Sequence, residues 1–325
     1  MTIFLILLLV LLLITAGAWY AYSICFYSPK SHRVTPEEPL KGEQYDAVSE
    51  HIFHMSHIME KIPYEKVTIM SHDGLKLHGR YYHIRDGAPI ELLFHGYRSH
   101  PYRDCSGGHA LSRKLGFNAL VIDQRAHGSS EGHTISFGIQ ERHDVHGWVR
   151  YCSDRFGNDV PMILSGLSMG AATVLMASDG ELPANVKCII ADSPYSSPKA
   201  IIEKVCLDEN YPLTLCRPFF HLGAFLFGKF NLNETSAKAA VANATVPILL
   251  IHGEDDRFVP CSMTHEIAAH CTSYFEVHTF PEAGHGLCYM TDPRRYERIV
   301  YDFVCRIPEL KDSVSETFTK QLYEN

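Results

Sequence analysis

The residues best suited to chemistry lie in the segment Gly166-Leu167-Ser168-Met169-Gly170, where a serine has a glycine two residues away on either side. The apolar run "VPMIL" lies shortly before the segment and "AATVLMA" follows it, so the sequence predicts a sharp turn between a strand and a helix. In such a turn, side chains at Gly166 and Gly170 would clash with neighbouring backbone, and the Ser168 hydroxyl would be exposed. A serine in this place can also cap a helix, and the segment alone does not distinguish the two roles.

A serine hydroxyl is a useful nucleophile only when a base removes its proton, and histidine is the natural base at neutral pH. Of the 20 histidines, His285 stands out because it lies in a glycine-flanked loop between the last predicted strand and the last helix. A carboxylate must then orient the imidazole. Asp255, Asp256 and Glu254 compete for that role, and Asp192 is a further candidate.

These residues follow predicted strands that alternate with helices. The expected strands are 64–70, 75–84, 89–96, 118–123, 160–166, 186–193, 246–253 and 273–280. The expected helices are about 44–60, 105–115, 138–155, 169–178 and 291–306. This alternation is typical of an α/β fold with a mostly parallel sheet and helices on both faces. Since the carboxyl ends of parallel strands meet at one crevice, we expect the chemistry there.

The N-terminal segment is almost wholly apolar over residues 3–27 and contains no charged side chain. As a helix it would reach roughly 37 Å, more than the ~30 Å hydrocarbon core of a bilayer. Its C-terminal end carries rings that favour the headgroup zone: Trp19, Tyr20, Tyr22 and Tyr27. We therefore expect an uncleaved, single-pass transmembrane anchor over residues 1–29. The alternative is a signal peptide cleaved near Ala16-Gly17-Ala18.

Basic residues follow the apolar segment and none precedes it, which by the positive-inside rule favours a cytoplasmic main domain. These residues are Lys30, Arg33 and Lys41, while Glu37 and Glu38 count for little in that rule. The ten cysteines include no CxxC pair and several lie in apolar runs, so we expect mostly reduced core thiols. The net charge of -8, without a Lys/Arg cluster, excludes nucleic acid as an expected partner.

The remaining chain divides into a connector (30–62), a main domain (63–310) and a C-terminal tail (311–325). The expected connector helix carries His51, His54 and His57, and this spacing could place two imidazoles on one face. No further ligand pattern supports a metal site. We expect this helix to pack on the domain or to lie at the membrane surface.

One stretch interrupts the alternation, because no strand is evident between Ser197 and Thr245. Its segment "RPFFHLGAFLFGKF" (217–230) is rich in phenylalanine. A core helix is one explanation. As an insertion between two strand-helix units, it is better interpreted as a lid (about 197–245) over the carboxyl edge of the sheet. Four phenylalanines are then expected to line a substrate pocket: Phe219, Phe220, Phe225 and Phe227.

Six motifs occur in one order along the chain: "HGY" (95–97), "DQRAHGSSEG" (123–132), "GLSMG" (166–170), "ADSPY" (191–195), "HGEDDRFVP" (252–260) and "AGHG" (283–286). With them, the chain from about Pro63 to Ile307 resembles the α/β hydrolases, especially serine aminopeptidase-like and membrane-anchored esterase-like members. The resemblance implies that the acid is the fifth residue of H-G-x-x-D-x-x-V-P, which is Asp256. It also implies an oxyanion hole formed by the backbone N–H groups of Tyr97 and Met169.

The same resemblance gives the "RAHGSSEG" loop a bracing role near the site. Asp123, Arg125 and His127 are then expected to hold this loop rather than to react. The usual family motif has glycine where Ala126 stands.

These observations favour a membrane-anchored serine hydrolase that cleaves a small-molecule carboxylic ester or thioester, with acyl or lipid-like substrates at or near the membrane. Ser168 would attack the carbonyl, His285 would act as base and then as acid, and Asp256 would orient His285. This chemistry needs no cofactor and no metal ion. A peptidase or amidase acting on short peptides is the nearest alternative, and a non-catalytic binding protein on the same fold is a further one.

Overall fold

The computed structural model describes residues 1–36, 38 and 42–324, so Glu37 and Lys41 lie outside the described residues. The strands are β1 (Glu65–Met70), β2 (Lys76–Tyr82), β3 (Ile90–Phe94), β4 (Asn118–Asp123), β5 (Met162–Leu167), β6 (Val186–Asp192), β7 (Ile248–Gly253) and β8 (Phe275–Phe280). Each lies within one residue of, or inside, a strand expected from the sequence.

The α-helices are α1 (Thr2–Cys25), α2 (Ser49–Glu60), α3 (Pro101–Leu115), α4 (Glu141–Phe156), α5 (Met169–Ala177), α6 (Pro198–Asp208), α7 (Leu213–Gly223), α8 (Ala237–Ala240), α9 (Ser262–Ala268), α10 (Cys288–Thr291), α11 (Pro293–Cys305), α12 (Pro308–Lys311) and α13 (Glu316–Glu324). A π-helical turn, Ala224–Gly228, continues α7. Short 3₁₀ turns occur at Lys30–His32, Glu43–Tyr45 and Val241–Asn243.

In the described part of the chain, eight strands form one sheet in the order β1-β2-β4-β3-β5-β6-β7-β8. β2 is antiparallel to β1 and to β4, and all the other neighbours are parallel. The mostly parallel sheet predicted from the alternation of strands and helices is confirmed. Because the central strands are covered on both faces, they appear in the sequence as nearly continuous apolar runs.

Helices cover both faces of the sheet. Successive side chains of a strand point to opposite faces, so Ile163 and Leu164 of β5 belong to two different apolar clusters. On one face the cluster includes Trp148 of α4 and Val174 of α5. On the other face it includes Phe303 of α11. Packing in the two clusters holds the strands between the helices, and the site residues follow the carboxyl ends of these strands.

The C-terminal tail expected at 311–325 differs in the structure. Most of its described part forms α13, and Phe318 is buried in the same apolar cluster as Leu115 and Phe303. The Ser315 N–H donates a hydrogen bond to the Leu115 carbonyl at 2.9 Å. A nine-residue helix shows too few turns for its apolar face to stand out in the sequence.

The connector is an integral part of the domain. The α2 helix buries Met59 in a cluster with Tyr82 and Tyr102, while His51, His54 and His57 are exposed. Before α2, the Arg33 guanidinium donates hydrogen bonds to carbonyls of the loop after β4, at 2.9, 2.6 and 2.7 Å from Gly128, Ser130 and Gly132.

Among the described residues, α1 is the helix that is long and apolar enough to cross a membrane, and a signal sequence has the same properties. Its residues 3–14 are exposed, whereas Ala18, Ala21 and Tyr22 are buried against the domain. The helix therefore projects from the domain at one end and packs on it at the other.

Candidate active site

Ser168 lies at the sharp turn between β5 and α5. Its backbone has φ of 55°, in the left-handed region that non-glycine residues rarely adopt. A Cβ at Gly166 would lie 2.3 Å from the carbonyl carbon of Gly170, and a Cβ at Gly170 would lie 2.1 Å from the carbonyl oxygen of Phe94. Only glycine fits at these two positions, because real Cβ contacts are never so short.

The structure brings Ser168, His285 and Asp256 into one line of contacts. The Ser168 Oγ lies 2.9 Å from His285 Nε2, and His285 Nδ1 lies 2.6 Å from Asp256 Oδ2. The carboxylate accepts from Nδ1–H, which leaves Nε2 free to accept the serine proton. The serine follows β5, the aspartate follows β7 and the histidine follows β8, so all three meet at the carboxyl edge of the sheet.

Asp256 remains a carboxylate although it is buried. Burial acts to raise the pKa of Asp256, but hydrogen bonds from His252 and His285 outweigh it and lower the pKa to about 2. The N–H groups of Phe258 and Val259 also donate to Oδ1, at 2.9 and 2.7 Å. A charged, fully hydrogen-bonded carboxylate at this position stabilises a protonated His285.

The other candidate acids lie elsewhere. Asp255 is exposed, and Glu254 accepts a hydrogen bond from the Thr279 hydroxyl at 2.6 Å. Asp192 accepts from the Ser193 hydroxyl at 2.9 Å, and burial raises the pKa of its carboxyl. Of the four carboxylates proposed from the sequence, the structure thus brings only Asp256 within hydrogen-bond distance of His285.

Two backbone N–H groups lie next to the serine with no acceptor among the described residues. They belong to Met169, the first residue of α5, and to Tyr97, which follows β3. The neighbouring Gly96 N–H is already used, because it donates to Asp104 Oδ2 at 2.8 Å. The start of α5 adds the positive end of a helix dipole at the same place.

The C-terminal end of α1 holds the loop that carries Tyr97. The Tyr97 hydroxyl donates to the Cys25 carbonyl at 2.7 Å, and the Arg98 guanidinium donates to the carbonyls of Ile24 and Tyr27 at 2.9 and 3.0 Å. The carbonyls at the end of a helix lack intrahelical partners, so side-chain donors satisfy them here. The loop and the end of α1 are therefore one hydrogen-bonded unit.

The residues of the "DQRAHG" motif brace this unit. His127 Nε2 accepts from the Arg98 N–H at 3.0 Å, and Arg125 binds Asp144 through two hydrogen bonds of 2.7 Å. Asp123 accepts from Arg80 at 2.7 Å. Ala126 has φ of 62°, a left-handed conformation that explains glycine in the usual family motif.

A cavity of about 370 Å³ opens beside the serine. It lies between the sheet and α3 and α11, and its apolar walls include Leu93, Leu167 and Phe258. Its volume is within the range of small-molecule sites. One wall carries the buried carboxyl of Glu91, whose pKa is raised by burial and which accepts hydrogen bonds from the hydroxyls of Ser112 and Ser165.

The expectation that four phenylalanines line the pocket is wrong for the cavity beside Ser168. Phe219 lies against Gly17 of α1, and Phe227 packs on Trp19 with the ring centres 5.0 Å apart. Phe220 is buried in the cluster beneath the insertion, and Phe225 is exposed. The end of α1 packs against the rings of Phe219 and Phe227, and a sequence does not show which apolar surfaces pair.

The cavity is instead covered in part by the connector, and no pattern in the sequence links that segment to the site. Gln44 Oε1 accepts a hydrogen bond from the His285 N–H at 3.2 Å. Tyr45 and Ile52 also line the cavity. No local pattern marks these residues, because their role depends on a contact between positions 241 residues apart in the chain.

The chain belongs to the alpha/beta hydrolase family, since the sequence pattern of that family matches residues 92–299, more than half of the chain. This membership places the protein among the hydrolases and confirms the resemblance stated from the six motifs.

Among curated proteins, the uncharacterized protein YqkD of Bacillus subtilis is 25% identical over 309 residues, which cover 91% of this chain and 94% of YqkD. Human protein ABHD12B is 27% identical over 192 residues, which cover 54% of this chain and 48% of ABHD12B. The Pyrococcus furiosus esterase Pf2001 has a TM-score of 0.60 at 21% identity, covering 84% of this chain and 99% of the esterase. Est1E of Butyrivibrio proteoclasticus, solved with ferulic acid bound, has a TM-score of 0.56 at 20% identity, covering 74% and 98%. The solved structures show that the fold is shared.

The turn at Gly170 is packed tightly against the end of β3. We expect Gly170→Ala to lower the free energy of unfolding by about 3 kcal/mol, because the added Cβ displaces the β3 carbonyl. Gly147→Ala in α4 is the matched control, since its Cβ would meet only the tip of Ile69 at 3.2 Å. Thermal unfolding of both variants measures the difference. Equal melting temperatures for the two variants would contradict the steric requirement.

Proposed function

We propose that the protein is a serine hydrolase that cleaves a carboxylic ester or thioester through an acyl-enzyme intermediate. The observation that carries this proposal is the line of contacts from Asp256 through His285 to Ser168, beside two backbone N–H groups that have no described acceptor. Among the described residues, no group of three or more His, Cys, Asp or Glu side chains is placed to hold a metal ion. The proposed steps use protein groups and water alone.

In the first half-reaction, Ser168 Oγ attacks the carbonyl carbon while His285 Nε2 takes the hydroxyl proton. The negative charge that forms on the carbonyl oxygen is stabilised by the N–H groups of Tyr97 and Met169, and one such donor contributes about 2.7–4 kcal/mol. The intermediate collapses, His285 gives its proton to the leaving alkoxide or thiolate, and the acyl group stays on Ser168. In the second half-reaction, water attacks with the same proton transfers and releases the acid.

The cavity supports a small acyl or alcohol group as the bound part of the substrate. Its apolar walls include Leu93 and Leu167, and the one Lys or Arg among the described lining residues is Arg103, which is half-buried and paired with Asp104 at 3.4 Å. The name of the similar Pyrococcus furiosus esterase Pf2001 agrees with an ester substrate. Comparison of p-nitrophenyl esters, acyl thioesters and aminoacyl amides of the same acyl group would separate ester, thioester and amide hydrolysis.

We also propose that α1 remains attached as a membrane anchor. The possible cleavage segment Ala16-Gly17-Ala18 lies inside one continuous helix, and Ala18 is buried against the insertion. The following turns of α1 supply the carbonyls that hold Tyr97 and Arg98. An intact helix therefore supports the site as well as the attachment.

For the side of the membrane, Lys30 and Arg33 directly after α1 favour a cytoplasmic catalytic domain. We expect a fluorescent protein that matures only in the cytoplasm to fluoresce when fused to the C-terminus. A fused alkaline phosphatase, which is active only outside the cytoplasm, should be inactive. The opposite pattern would place the domain on the outer side.

Labelling tests the nucleophile. We expect a fluorophosphonate probe to label the wild-type protein and not Ser168→Ala, which should also lose hydrolysis of a p-nitrophenyl ester by roughly 10⁴-fold or more. Equal labelling of the two proteins would refute Ser168 as the nucleophile. An unlabelled wild type would favour a binding protein.

A matched pair of aspartates tests the acid. Asp256→Asn should lower kcat by roughly 10⁴-fold, because the amide holds the wrong imidazole tautomer. Asp255→Asn removes the adjacent, exposed charge and should change kcat by less than about twofold. A larger loss in Asp255→Asn would transfer the role to that residue.

The pH profile tests the base. Because hydrogen bonds from His252 and His285 outweigh burial and lower the pKa of Asp256 to about 2, its carboxylate is ionised at neutral and mildly acidic pH. A histidine base can accept the serine proton only when its Nε2 is unprotonated, so the mechanism requires neutral His285. We expect kcat/KM for an uncharged ester to rise between about pH 5 and pH 8 and then to level off. A flat profile over that range would exclude a histidine base.

A further inference from the structure

We propose that the segment Leu213–Gly228, which comprises α7 and its π-helical turn, is a second membrane-binding element. It would lie in the bilayer beside α1, with Leu215, Phe225 and Leu226 facing lipid. The inference rests on the anchor part of the proposed function and does not depend on the hydrolytic part. In this proposal the exposed side chains of the segment contact lipid and do not contact a substrate.

The length of α1 limits the depth at which it can lie in a bilayer. α1 has 24 residues and is therefore about 36 Å long, only about 6 Å more than the hydrocarbon core of a bilayer. A spanning α1 thus has about four residues to spare. Residues 17–22, close to its C-terminal end, must lie inside the hydrocarbon region or at its edge. Trp19 and Tyr20, both exposed, have the ring types that concentrate at that edge.

The insertion touches α1 over this same short stretch. A Cβ at Gly17 would lie 2.6 Å from the Phe219 ring, and a Cβ at Gly223 would lie 2.5 Å from the Ala18 carbonyl oxygen. Phe227 contacts Tyr22, with the ring centres 5.8 Å apart. Glycines on both helices let the backbones approach closely. The segment from Phe219 to Phe227 is therefore fixed at the depth of residues 17–22 of α1.

The exposed side of the segment is suited to lipid at that depth. Leu215, Phe225 and Leu226 are 63%, 67% and 45% exposed, which is unusual for such large apolar side chains in contact with water. Arg217 lies at the side facing α6, where its guanidinium donates to Glu203 at 2.6 Å. Lys229 follows the π-helical turn and is exposed. Cations that flank an apolar face are typical of helices at a membrane surface.

A bilayer explains this surface better than a protein partner, because the apolar face is continuous with α1. Phe227 contacts both Trp19 and Tyr22, so no polar gap separates the exposed rings of the insertion from those of the anchor. Phe225 and Leu226 lie in the same π-helical turn as Phe227 and are exposed beside this part of α1. If α1 spans a bilayer, these two side chains therefore face lipid.

Tryptophan fluorescence in vesicles tests the proposal. The full-length Trp19→Phe protein keeps only Trp148, which is fully buried in the core. In this background Phe225→Trp places one reporter on the proposed surface, in phosphatidylcholine vesicles whose acyl chains are brominated near the glycerol end. We expect the fluorescence that this tryptophan adds to the Trp148 background to fall by roughly twofold or more, because side chains on the apolar face of an interfacial helix lie about 5–10 Å into the headgroup/acyl boundary.

Tyr274→Trp in the same background is the matched control. Tyr274 is 51% exposed and precedes β8 at the amino end of an edge strand, away from the carboxyl edge of the sheet that carries the site. We expect its fluorescence to be unchanged by brominated lipid. Equal quenching of the two reporters, or none for Phe225→Trp, overturns the proposal when the protein stays in vesicles after an alkaline wash.

Release of the protein by the alkaline wash would overturn both the anchor and the second membrane element. Hydrolysis of a water-soluble ester by the same preparation would then show whether the hydrolytic part of the proposed function stands by itself. Retention, quenching and ester hydrolysis together therefore distinguish failure of the anchor, of the second membrane element and of the hydrolytic part.

Discussion

The close approach of three backbone segments around Ser168 is the constraint on which the site depends. β5 turns sharply into α5, and the turn lies against the end of β3 so tightly that Gly166 and Gly170 have no room for a Cβ. This packing forces the left-handed backbone of Ser168 and presents its hydroxyl above the sheet. It also places the start of α5, which carries the Met169 N–H, against the end of β3, which leads into the loop that carries Tyr97. Strain of about 1–3 kcal/mol at one residue is sustained by the packing of the whole sheet.

A second requirement is a buried carboxylate that keeps its charge. Asp256 loses contact with water, and this loss alone would raise the pKa of its carboxyl and favour the neutral acid. Two histidines and two backbone N–H groups replace the lost water. His252 is itself held by hydrogen bonds to Thr264 and to the Val259 carbonyl, at 2.6 and 2.8 Å. The loop after β7 is thus built around the carboxylate, which directs His285 towards the serine.

The apolar N-terminal helix is hydrogen-bonded to the loop beside the site. Its last turn accepts hydrogen bonds from Tyr97 and Arg98, and the chain that follows it is bound by Arg33 to the loop after β4. The connector then continues over the site, where Gln44 contacts the backbone of His285. The parts of the chain nearest the proposed membrane are therefore hydrogen-bonded to both sides of the cavity.

The sequence by itself determined the sheet, the order of its elements and the residues that meet at its carboxyl edge. Buried parallel strands appear as apolar runs, and the glycines at 166 and 170 report a local steric need. The positions of the acidic residues in the sequence are compatible with four different carboxylates as the partner of the histidine. The family motif selects Asp256, which the structure places within hydrogen-bond distance of His285. Only the tertiary structure decided what covers the cavity and which surfaces the phenylalanines of the insertion meet. Phe219 and Phe227 pair with α1, and Gln44 reaches His285, through contacts between residues far apart in the chain. Such contacts depend on how complete elements pack, and no spacing of residues along the sequence records that.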